Sequence, residues 1–144
     1  MGLSSYDINL RSLLSPLFQD YGQSFIGASQ DELEQFERTA RDINVPQEAI
    51  EELKRFYRVL NGIDPSLDSL LIYQSGSSMI YEFWQSQGQL WVGQRDMDMI
   101  IWKEGRFHLG CAGELNYGED YVFENLLDLL MKGFRDWYPE ENEI

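Results

Sequence analysis

Asp96 and Asp98 stand two apart in Gly93-Gln94-Arg95-Asp96-Met97-Asp98-Met99-Ile100-Ile101, and no other residues come nearer to a site for chemistry. Side chains two positions apart on a strand share a face, so both carboxylates can reach one hard cation, which prefers oxygen ligands. The same pair could divide the acid and base work of a small metal-dependent hydrolase, with Glu114 or Glu119 as a third carboxylate. Pattern argues against both readings. The alternating acids, glycine turn and distal glutamate of a calcium loop are missing, and Asp120 is as eligible as Glu119. Two acids beside an apolar run are also the wet side of a hairpin. The expectation is therefore a solvent-facing or partner-facing pair, with no metal, no cofactor and no catalytic residue.

Other chemistry is thinner. Cys111 is the single cysteine and His108 the single histidine, which leaves neither a disulfide nor a Cys/His metal cluster. Three positions apart on a strand, the two fall on opposite faces, so a thiol-imidazole couple is not expected and Cys111 reads as small buried filler. Gly105, Gly110, Gly113 and Gly118 fit neither phosphate-binding glycine pattern and read as turn residues. Trp84, Trp91 and Trp102 fall in or beside the expected strands. Most tryptophans pack in cores, yet exposed ones anchor partners, so Trp91 and Trp102 join Asp96, Asp98, Glu114 and Glu119 as candidate partner-binding residues.

Composition narrows the partner. The 25 acidic and 11 basic residues give a formal net charge of -14, which repels phosphate backbones and anionic membrane surfaces. Nucleic acid and membranes are thus disfavoured, and encounter with a basic protein is accelerated. The start MGLSSYDINLRSLL lacks a basic segment before an apolar one, no run of about 18 apolar residues occurs, and a cytoplasmic, reducing location is expected.

The elements that must position these residues follow from periodicity. Leu10, Leu13, Leu14, Leu17, Phe18 and Tyr21 recur at helical spacing, with Pro16 expected to start or bend a helix behind Ser15. Ser29-Gln30-Asp31-Glu32 has the spacing of a capping box ahead of Leu33, Phe36, Ala40 and Ile43. Asn44-Val45-Pro46 separates that helix from a third, carrying Ile50, Leu53, Tyr57 and Leu60 and stopped by Gly62. Strands are expected at 70–73, 90–93, 97–102 and 106–109, with a hairpin at Lys103-Glu104-Gly105 and a helical insertion at 78–84. A last helix is expected from Asp120, through Phe123, Leu126, Leu127, Leu130, Phe134 and Trp137, to Pro139. The sum is one α+β domain over 1–144: N-terminal helices, a central antiparallel sheet and a closing C-terminal helix, with 1–28 as a helical extension and 140–144 as an acidic tail.

The stretch Val45-Pro46-Gln47-Glu48-Ala49-Ile50-Glu51-Glu52-Leu53-Lys54-Arg55-Phe56-Tyr57-Arg58-Val59-Leu60-Asn61-Gly62 resembles the helix and Asn-Gly stop near the start of SUKH superfamily proteins. Gly93 to Ile101 stands where that family has its central glycine-containing strand pair, and Val122 to Phe134 matches its closing helix. The resemblance runs over about residues 29 to 137. It implies a non-catalytic protein-binding module: an immunity protein that neutralises a cognate basic toxin, such as a nuclease, or a regulatory scaffold like the family's Smi/Knr-like cell-wall regulators.

Overall fold

The computed structural model describes residues 5–20, 25–63, 70–95, 98–111 and 122–137. Helix α1 (Ser5–Asp20) runs unbroken through Pro16, where a bend or fresh start is expected. The Ser15 hydroxyl donates to the Arg11 carbonyl one turn back, a side-chain bond to the helix just before the proline removes a backbone donor. Tyr6, Leu10, Leu14 and Phe18 form its buried stripe and belong to the main core, so α1 is an integral layer and not an appendage.

In α2 (Gln30–Asp42) the capping box forms as its spacing requires: Ser29 accepts from the Glu32 N–H, and the Glu32 carboxylate accepts from the Ser29 N–H. Leu33, Phe36 and Ala40 are buried beneath it. Helix α3 (Gln47–Val59) follows Pro46 and buries Ala49, Ile50, Leu53, Phe56, Tyr57 and Val59. Its end departs from the expected glycine stop, because Leu60 is extended at the cap and Gly62, at φ 96°, serves the turn into the Ile63↔Ile72 bridge. Asn61 closes this junction. Its N–H donates to the Ile26 carbonyl, its side-chain oxygen accepts from the Ser75 N–H at 2.8 Å, and its amide donates to Glu32 at 3.2 Å.

The strands are β1 (Leu70–Ile72), β2 (Leu90–Arg95), β3 (Asp98–Lys103), β4 (Arg106–Cys111) and β5 (Val122–Phe123), joined as an antiparallel meander in chain order. A 3-10 turn (Ser78–Tyr81) and the short α4 (Trp84–Gln87) fill the β1–β2 connection, as the helical insertion at 78–84 anticipates. Between β3 and β4, Glu104 and Gly105 both take positive φ, 52° and 85°, as a two-residue type I′ turn demands.

Helix α5 (Leu126–Trp137) corrects the expected start at Asp120. Asn125 caps it by accepting from the Asp128 N–H at 2.8 Å, and Phe123, expected on the helical stripe, lies in β5 opposite Phe107. Asp120 and Pro139 lie outside the described residues.

The core lies between the helices and one face of the sheet, where Leu70, Ile72, Leu90, Val92, Ile100, Trp102, Phe107 and Leu109 join the helical stripes. Burial of this apolar area is the main stabilising term. The fold is thus α+β, with three helices, a five-stranded antiparallel sheet and a closing helix. Among the described residues, no helix is long and apolar enough to cross a membrane.

Candidate functional site

Asp98 opens β3 opposite Arg95 of β2 on one side and Cys111 of β4 on the other. It has the strand parity of Ile100 and Trp102, the residues turned toward the helices, and is half-buried at the sheet's end. This departs from a fully solvated hairpin face. Asp96, Glu114 and Glu119 lie outside the described residues. Among the described residues no group of three or more His, Cys, Asp or Glu is gathered as a cation would require.

The two tryptophans part company. Trp102 is 4% exposed and sits in the core beside Trp84, their rings 6.4 Å apart, so its surface is committed to packing instead of to a partner. Trp91 is half-buried on the face away from Leu90 and Val92, edge-on to Tyr73 at 5.2 Å and tilted against Phe83 at 5.4 Å. A bulge between Trp91 and Gly93 bends the strand there, and the indole N–H donates to the Gly93 carbonyl at 3.0 Å. With its donor satisfied locally, Trp91 offers a partner its ring and not a hydrogen bond.

His108 is half-buried on β4, opposite Ile101 and Val122, and burial pushes its pKa below the ordinary imidazole value. It follows the neutral form's preference for a partly desolvated place. The Cys111 side chain lies outside the described set.

A second feature escapes sequence reading altogether. An open groove of about 530 Å³ runs beside α3, lined by Glu48, Glu51, Glu52, Arg55 and Arg58 of that helix and Asp7 of α1. The α3 residues recur at helical spacing on one stripe, and only the packing of α1 onto α3 supplies the other wall. The Arg55 guanidinium lies over the Tyr6 ring, 4.1 Å from its centroid, and reaches Glu52 Oε1 at 3.3 Å. Lys54, Arg55 and Arg58 lie in the C-terminal half of α3, where cations complement the helix dipole.

Lys54 is spent elsewhere, donating to Glu37 Oε1 at 2.5 Å while Arg41 meets Glu37 Oε2 at 2.7 Å, which joins α2 to α3. The Lys54 hydrogen bond, then the two cationic charges, hold Glu37 below the usual carboxylate range.

No family model, curated protein or solved structure matches the chain.

Proposed function

We propose that this chain is a non-catalytic protein-binding module of the immunity type, which binds and neutralises a cognate basic toxin, a nuclease being the favoured class, in the cytoplasm. The observation that carries the reading is charge and its display: a formal net charge of -14, with Asp31, Glu32, Glu34, Asp42, Glu48 and Glu51 exposed on the two adjacent helices α2 and α3, where they outnumber the exposed Arg38, Arg41, Arg55 and Arg58. A net-negative surface competes with a nucleic-acid backbone for a basic cleft, and steers the encounter at long range. The SUKH-like order of signals, read from residues 29 to 137, supports the same conclusion from a different direction. Trp91 and Asp98 supply an aromatic ring and a half-buried carboxylate on the sheet as further contact residues.

The test is capture of partners from the source cell's lysate with this chain as bait. A basic toxin domain should be retained at low salt and released progressively as salt rises, because exposed charges are screened within about 8 Å at physiological ionic strength. Recovery of no basic protein would overturn the reading. Retention unchanged by salt would remove its electrostatic basis.

A further inference from the structure

Five side chains close a ring over the connection between α2 and α3. Glu37 Oε1 accepts from Lys54 at 2.5 Å, and Glu37 Oε2 meets Arg41 at 2.7 Å. Arg41 Nε donates to Gln47 Oε1 at 3.0 Å, Gln47 Nε2 donates to Glu51 Oε1 at 2.8 Å, and the same Glu51 oxygen lies 3.9 Å from Lys54 Nζ. Arg41 stands in the last turn of α2 and Gln47 opens α3, so the ring spans the Ile43-Asn44-Val45-Pro46 turn. Asn44 holds φ 66° in that turn, a left-handed backbone that its surroundings must maintain.

The members are not equally committed. The Arg41 side chain is 59% exposed, and water screens its pair with Glu37. Lys54 is 14% exposed and Glu37 20%, so theirs is the contact that a change of charge disturbs most. Two carboxylates and two cations make the ring neutral. A proton on Glu37 leaves a net positive ring and a largely desolvated Lys54 ammonium, with Glu51 at the edge of ion-pair range as its remaining anionic partner in the ring. That ammonium regains solvation by moving outward. Helix α3 packs against α2 and turns Lys54 and, through it, Glu51 toward Glu37, while α2 itself supplies Arg41.

We propose that this ring is an acid-operated clasp: protonation of Glu37 opens it, releases the α2–α3 turn, and loosens the Trp84 anchor that ends on the Ile43 carbonyl. In the closed state the Lys54 hydrogen bond holds Glu37 below the usual carboxylate range. The contribution of the clasp is therefore whole above that range and is lost as pH falls through the lower folded value, so neutral solution keeps it shut. The buried Leu33, Phe36 and Ala40, with Phe36 edge-on to Tyr57 of α3, keep the body of α2 seated while the turn opens.

The test is amide hydrogen exchange on the full-length chain at about pH 6.5 and about pH 3.5, either side of the ordinary carboxylate value, expressed as protection factors. Protection of Ile43, Asn44 and Val45, whose amides bond to the Ala40 and Arg41 carbonyls, should fall about tenfold on acidification. The Ile100 and Ile101 amides of β3 should lose less, and the Trp84 indole N–H should exchange faster together with the turn. Glu37→Gln copies the shape of the protonated acid and should show the open pattern already at the higher pH. Lys54→Met removes the desolvated ammonium, so the Glu37→Gln/Lys54→Met double variant should regain the closed pattern and keep it at both pH values. Wild-type protection of the turn in Glu37→Gln, or a double variant as open as Glu37→Gln, would overturn the clasp. An acid loss in the wild-type chain that is equal at the turn and in β3 would overturn it too, because that is unfolding of the whole molecule.

Discussion

His108 is the chain's single histidine, the side-chain type whose ordinary pKa lies near neutrality. Its folded pKa is lowered, chiefly by burial. The unfolded chain therefore takes up this proton more readily than the folded one. Stability is complete above the ordinary imidazole value and is lost as pH falls through it toward the lower folded value. The melting temperature should drop between about pH 7.5 and pH 5.5, and His108→Gln should flatten that slope. A wild-type curve already flat over this range would contradict the partial burial. Asn61 makes a different demand, since three of its polar groups bind three separate segments. Asn61→Ala should cost about 1–3 kcal/mol in chemical denaturation, because the Ser75 N–H, in a buried residue, is left unpaired.

At the scale of elements, the sheet leaves no room at Gly93. A Cβ there would lie 2.1 Å from the Leu71 carbonyl oxygen of β1, a backbone atom that cannot swing aside. Gly93→Ala should force β1 from β2 and destabilise by about 1–3 kcal/mol or more, with loss of Leu71 and Ile72 amide protection in hydrogen exchange. Wild-type protection in that variant would show that the β1–β2 approach is looser. The helical part of the insertion between these strands is tied across the fold by a directional bond from the Trp84 indole N–H to the Ile43 carbonyl at 2.7 Å. Trp84→Phe keeps a ring against Trp102 but deletes that donor, and should cost about 1 kcal/mol for the bond plus lost contact area.

For the molecule as a whole, charge is the property most open to test. Association with a basic partner should slow steeply as ionic strength rises, while dissociation changes little, since steering acts on the encounter. Stopped-flow rates at several salt concentrations measure this directly. Two layers divide the labour in this picture. The sheet with its buried Trp102 and Ile100 provides a backing, and the helical layer carries exposed carboxylates and the groove between Asp7 and α3.

Local rules were enough to read α2, α3 and the Glu104-Gly105 hairpin from residue order, because a capping box, a proline boundary and a two-residue turn each act within a few positions. Net charge, and with it the favoured class of partner, is likewise a property of composition. Strand β5 was not legible, since two residues have no period and exist as a strand only through pairing with Phe107 and His108. Pro16 within α1 was misleading for a related reason: the burial of Leu10, Leu14 and Phe18 outweighs a local preference to break. The candidate residues divide in the same way. Trp91 and Trp102 look alike in sequence and are separated by strand parity and by which face the helices cover. The groove depends on α1 lying against α3, with Asp7 and Glu48 some forty positions apart in the chain. Spacing along the chain reports neighbours on one element, and only the packing of one element on another sets the Asp7 carboxylate beside the charged stripe of α3.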